Sequence, residues 1–131
     1  MIQTANVPSS MGDLARKTRG TNLADYLAPQ LEISEPEKID DRIPRRISRD
    51  SAAATYTYAA TAARQISLQD LEIDEIEFDD TEATVKFRLD AIVELPTRTP
   101  VNGILHVISI WEDRPNEGWR LKSLAWEEKG R

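Results

Sequence analysis

His106 is the only histidine of the chain, and an imidazole titrates near neutrality, which makes it the first candidate for acid–base chemistry. It shares one strand parity with Ile104, Ile108 and Ile110. If that face lined a cavity, His106 could pair with a carboxylate such as Asp90, giving two polar groups in an otherwise apolar pocket. The same spacing also fits a histidine on a strand surface, or one satisfied in a core. No nucleophile–base pair stands out, since Ser, Thr and Asp are scattered without an elbow motif. Gly12, Gly20, Gly103, Gly118 and Gly130 stand apart, so neither phosphate-binding glycine pattern is present.

Charge is the next feature. Residues 65–85 contain no Lys or Arg but hold Asp70, Glu72, Asp74, Glu75, Glu77, Asp79, Asp80 and Glu82. This run could meet a basic surface, or hold a divalent cation at Asp79, Asp80 and Glu82, although the spacing departs from a calcium loop. The preferred reading is a solvated hairpin whose charge prevents edge-to-edge pairing. Arg42, Arg45, Arg46 and Arg49 form a basic cluster where a helix is expected to begin. Cations there oppose the helix dipole, so helix stability does not account for them. Pairing with the acidic hairpin, within the chain or across a dimer, is the preferred reading over an anion or nucleic-acid site. Trp111, Trp119 and Trp126 fall in the last two expected strands, and at least one is expected to meet an external partner.

Composition removes several function classes. The chain has 131 residues, no cysteine and a net charge of −6. Disulfides, thiolate metal sites and a cysteine nucleophile are excluded. One histidine cannot build a zinc site that needs several imidazoles, and neither a cofactor nor a metal is expected. The acidic balance makes nucleic acid an unfavoured partner. No apolar run approaches a membrane span. Residues 1–19 lack the apolar core of a signal peptide, so a cytoplasmic protein is expected.

Two parts are expected to position these residues. Residues 1–34 read as a polar arm with short helices. Ser9 or Ser10 caps a first turn that ends at Gly20, and Asn22 caps a second that carries Leu23, Tyr26 and Leu27. Residues 35–131 read as one α+β domain. From Asp41 to Gln65 no glycine interrupts an alanine-rich stretch, which predicts one helix roughly 36 Å long. Val85, Phe87, Leu89, Ala91, Val93 and Leu95 alternate with mostly polar residues, which predicts a strand with one buried face. Parity changes near Asp74–Glu75 and Ser123 predict bulges. Residues 103–112 are apolar on both parities, as in a central strand or one whose second face meets a partner. Short connections predict a four-stranded antiparallel meander over residues 68–129.

One long helix followed by four bent antiparallel strands resembles the cystatin-like roll of the nuclear-transport-factor-2-like group, with its ketosteroid-isomerase and polyketide-cyclase relatives. Gly118-Trp119-Arg120-Leu121-Lys122-Ser123-Leu124 is similar to that group's last strand, where a turn glycine and a tryptophan open an alternation of apolar and basic residues. The resemblance implies a cone-shaped cavity between helix and sheet and frequent dimers through the sheet. It implies no particular chemistry, because the fold hosts enzymes and plain binding modules. The expectation is a non-enzymatic interaction or assembly protein that dimerises through its sheet. The alternatives are a small enzyme, or a binder of a small apolar ligand, that uses His106, and an acidic viral or mobile-element inhibitor of a basic host site.

Overall fold

The computed structural model describes residues 1–34, 46–96 and 98–130. A short helix α1 (Ile2–Ala5) leads to α2 (Asp13–Ala24), strand β1 (Leu27–Ser34), strand β2 (Arg46–Ser48) and helix α3 (Arg49–Ala62). Four long strands follow, β3 (Gln65–Asp79), β4 (Glu82–Glu94), β5 (Val101–Arg114) and β6 (Gly118–Lys129). They pair as an antiparallel meander, as the short connections predict. Among the described residues the sheet has six strands rather than four, in the order β2-β1-β6-β5-β4-β3. β1 lies parallel to β6 and antiparallel to β2.

The long helix differs from expectation at its start. It begins at Arg49, not Asp41, because residues 46–48 are extended and pair with β1. The Ser48 hydroxyl accepts a hydrogen bond from the Ser51 amide at 3.2 Å and caps the helix. Ile47, counted above as a helix position, is buried in β2 against Leu31 and Leu121. Fourteen helical residues give a rod of about 21 Å.

Residues 1–34 also differ from the polar arm read in the sequence. A single helix, α2, covers the first of the short turns expected there but only the start of the second, since Leu23 is helical while Tyr26 lies in a turn and Leu27 opens β1. The helix starts after Gly12 rather than at a serine cap, and it passes through Gly20 without stopping. Gly20 faces α3, where a Cβ would lie 2.0 Å from the Ala53 carbonyl oxygen and 2.0 Å from Thr57 Oγ1. The glycine is there because the two helices cross too closely for any side chain. β1 then enters the sheet with Leu27 and Leu31 buried.

The helices cover one face of the sheet. Phe87, Leu89 and Ala91 of β4 and Val107 of β5 share that face and form one cluster of the core. Val7, Ala60, Ala63 and Ile66 form a second under the end of α3. Leu27, Leu31, Ile47 and Leu121 form a third. Ser109 is completely buried, and its hydroxyl donates to the Val85 carbonyl at 2.9 Å while accepting from Trp111 Nε1 at 3.0 Å. The parity changes become register shifts, between Ile73 and Glu75 in β3 and beside Lys122 in β6, with a further one between Gln69 and Glu72. The shifts bend the strands toward the helices. The Phe78 ring on β3 lies 6.2 Å from that of Trp119 on β6. Two strands separate them, about 14 Å of flat sheet, so the sheet curls and its helix-bearing face is concave.

One buried cation locks this layer. The Arg16 guanidinium on α2 donates to the carbonyl of Met11 at 2.9 Å, of Ala60 at 3.3 Å, of Ser9 at 3.3 Å, and of Pro8 and Arg64 at 3.4 Å, and it also bonds the Ala63 carbonyl. Ala60 and Ala63 stand at the C-terminal end of α3, whose last carbonyls have no partner within the helix and carry its negative dipole end. Nearby, the Tyr56 hydroxyl bonds the Ala5 carbonyl, and burial pushes its pKa up to about 12 against a smaller lowering by Arg19.

Arg16→Lys is expected to lower unfolding free energy by about 3 kcal/mol, because an ammonium cannot span three segments of carbonyls and a lost charged hydrogen bond costs roughly 1.5–3 kcal/mol. Urea titration of the variant checks this. Gly20→Ala should cost about 1–3 kcal/mol through overpacking at the helix crossing, read as a fall in thermal midpoint despite alanine's better helix propensity.

Candidate functional site

The face of the sheet opposite the helices is built around β5, which lies between β4 and β6. Its residues alternate, so Leu105, Val107, Ser109 and Trp111 point to the core while Ile104, His106, Ile108 and Ile110 point to the open face. The sequence reading grouped these residues correctly. The face that carries His106, however, is the convex one. His106 and Asp90 therefore stand outside the space between helix and sheet, on whose side Val7 and Leu121 are fully buried. Asp90 pairs across strands with Ile104, diagonal to His106. His106 lies in register between Arg88 of β4 and Glu127 of β6.

Ile108 is 45 % exposed in the middle of this face, whereas an apolar side chain on a central strand would ordinarily be covered. A shallow groove of about 520 Å³ runs past it, lined by Glu75, Lys86, His106, Ile108, Ala125 and Glu127. A second, of about 440 Å³, lies on the β1 side of Ile110 and is lined by Gln30, Glu32, Arg46, Lys122 and Ser123. Charged pairs border both. Arg88 meets Glu72 at 2.6 Å and Asp74 at 3.0 Å, and Lys86 meets Glu75 at 3.3 Å. Lys122, projected by its bulge, is bonded to Glu82, and that bond raises its pKa, with Glu112 and Glu32 adding smaller effects.

Within the chain, the described members of the basic cluster do not meet the acidic hairpin. Arg46 pairs with Glu32 at 2.9 Å and Arg49 with Glu117 at 3.1 Å. Arg42 and Arg45 lie outside the described residues. Glu117 also receives Arg114 at 2.8 Å, and the two guanidiniums, Arg114 foremost, hold its carboxyl below its ordinary value of 4.5. Asp79 and Asp80 sit at the tip of the β3–β4 hairpin, Asp80 with φ of 55°. No group of carboxylates and imidazole able to hold a metal occurs among the described residues. Trp111, Trp119 and Trp126 all face the helix-bearing side rather than opposite sides. Trp111 and Trp126 pack into the core, and Trp119 is 40 % exposed beside Phe78. Sequence reasoning passed over Arg16, Phe78, Lys122 and Glu117. A lone lysine in an alternating strand, next to a parity change, was the one available signal for Lys122.

No protein-family model matches the sequence, and no curated protein matches it. Solved structures do. A nuclear-transport-factor-2-like protein from Cytophaga hutchinsonii superposes with a TM-score of 0.60 at 12% identity, over 87% of this chain and 85% of its own. A domain of unknown function with a cystatin-like fold from Nostoc punctiforme gives 0.60 at 18% identity, over 91% of this chain and 72% of its own. A DUF4783 family protein from Bacteroides ovatus gives 0.58 at 10% identity, over 91% and 93%. The fold is the cystatin-like roll. At these identities the roll is what the proteins share. In this roll β1 and β2 extend the meander beyond β6, and no helix of the described residues lies on the convex face of the meander. None of the helices among the described residues is long and apolar enough to cross a membrane.

The Glu117 geometry sets a pH response. A carboxyl whose pKa is depressed on folding stabilises the fold above its unfolded value of 4.5 and loses that contribution as pH falls through the folded value. Glu117→Gln is expected to flatten the acid limb of the stability curve, measured by denaturant midpoints from neutral pH downward. An acid limb identical to wild type would remove the Arg49–Glu117–Arg114 link.

Proposed function

We propose that the chain is a non-enzymatic interaction and assembly module that self-associates through the convex face of its sheet. The observation that carries this reading is the row Ile104, Ile108 and Ile110 on a central strand, turned away from the core and left partly open. Four strands of twelve residues or more make a face of about 19 Å by 40 Å, close to the roughly 800 Å² that each partner of a stable interface buries. An apolar centre with charged residues at its border is the usual anatomy of such an interface.

A two-fold axis along β5 makes the face self-complementary. That operation sets β4 of one copy over β6 of the other. Arg88 of each copy then opposes Glu127 of its mate, since both are in register with His106. Ile108 meets its own equivalent near the axis, as an isologous interface requires. The enzyme reading had placed His106 and Asp90 in the cavity, and their position on the convex face supports an interface role instead. The acidic balance of the chain likewise supports a protein partner over nucleic acid.

Sedimentation equilibrium tests the reading. The wild-type chain is expected to be a dimer at micromolar concentration, and Ile108→Lys a folded monomer, its association weakened more than about thirtyfold by burying a charge at the centre. Arg88→Glu should weaken association and Arg88→Glu with Glu127→Arg should restore it. A wild-type monomer, or a charge swap that fails to rescue, overturns the proposal.

A further inference from the structure

We propose that the free edge of β3, over Glu75–Asp79, is a docking site that adds an extended segment of a partner protein as a further strand, and that this segment alternates basic and apolar residues. Among the described residues β3 ends the sheet, and residues 69–80 are all exposed. The earlier part of the same edge already takes a piece of chain. The amide and carbonyl of Ile66 exchange hydrogen bonds of 2.8 Å with those of Val7, and the Asn6 side chain bridges the Leu68 amide at 2.6 Å and its carbonyl at 3.2 Å. Beyond the two register shifts, Glu75–Asp79 pairs with β4 without interruption. It offers the same kind of unpaired backbone edge, the substrate of β-augmentation.

The side chains of this stretch state what the added strand must carry. Ile76 and Phe78 lie on the concave side, 47 % and 72 % exposed, with Ile73 at 54 % behind them and Trp119 against Phe78. Glu75, Glu77 and Asp79 lie on the other side. Glu75 has Lys86, but none of the lysines and arginines in the ion pairs of the described residues meets Glu77, Asp79 or Asp80. Glu77 instead lies beside Glu75, and that neighbouring carboxylate raises its pKa. A cationic side chain in the cross-strand position relieves this repulsion, and an apolar one covers Phe78. A second copy of this chain does not fit, because edge-to-edge pairing would bring the same carboxylates together. The backbone edge and the Ile76–Phe78 surface are distinct from the β5 row at the centre of the convex face, although Glu75 also lines the groove past Ile108.

The probe is a short synthetic peptide alternating lysine and valine, titrated into the full chain at low salt with Trp119 emission and calorimetry as readouts. Binding with a blue shift is expected, weakened about tenfold or more by Phe78→Ser or by Glu77→Lys, each a loss near 1.4 kcal/mol. Both residues are exposed, so the variants should fold as wild type, and Phe78→Ser, on the concave side, should leave sedimentation unchanged. A peptide methylated at alternate backbone amides should lose affinity, because the ladder supplies part of the binding. Equal affinity for a glutamate–valine peptide, indifference to Phe78→Ser, or indifference to backbone methylation overturns the proposal. So does a concave end that takes up a small apolar dye but not the peptide.

Discussion

The Arg16 guanidinium and the carbonyls around it constrain the rest of the molecule. A buried cation is tolerated only when its donors are satisfied, and here they are satisfied by backbone from residues 8–11 and from the end of α3 through Arg64. The same contact gives α3 a positive charge at its C-terminal end, where the last carbonyls would otherwise be buried without partners. α2, the loop before it and the start of β3 are thereby held at one point. With α3 pinned there and Gly20 admitting α2 at the crossing, the helix layer has one place to sit. That place leaves the far ends of β3 and β4 without helices above them.

The sheet translates this placement into two different surfaces. On β5, parity divides Leu105, Val107 and Trp111 from Ile104, Ile108 and Ile110, and both sets are apolar. Which set becomes core is decided by the side to which the helices are tied, not by hydrophobicity. The bulges at β3 and β6 then curl the sheet toward the helices, which brings Phe78 to Trp119 and flares the convex side. Concavity and the open isoleucine row are two consequences of one bend.

Much of the roll was legible in local pattern, and what was missed was held by distant contacts. Alternation over residues 84–95 has the period of a half-buried strand, and the parity changes near Asp74–Glu75 and Ser123 read as bulges in strands that long. β1 was read as helix and loop because Leu27–Ser34 is too short and irregular to show a period, and Pro29 suits a helix end as well as a strand. Its strand identity comes from β6, more than eighty residues away in sequence. Gly20 reads as a stop signal unless Ala53 is known to lie against it. The candidate site was half legible. The grouping of His106 with three isoleucines followed from parity, but the side they face did not, because nothing local distinguishes two apolar parities. Arg16 gave no signal, since its partners are backbone carbonyls that carry no residue identity.

Charge in this chain is arranged by neighbourhood more than by total. The expectation that the arginines before α3 would neutralise the acidic hairpin of their own chain fails, for the described members, on geometry. Arg46 and Arg49 sit beside β1 and the β5–β6 turn, and their carboxylates are Glu32 and Glu117. Lys86, Arg88 and Lys122 reach the hairpin from the convex side and pair with Glu75, Glu72, Asp74 and Glu82. Their charge is therefore spent before the β3 edge, and the carboxylates beyond it repel one another. Such an edge rejects copies of itself, which is how natural sheets avoid stacking. The same repulsion makes it selective, because a strand that docks there gains only if it brings cations. Exclusion of self and preference for a basic partner are one electrostatic property of the Glu75–Asp79 edge.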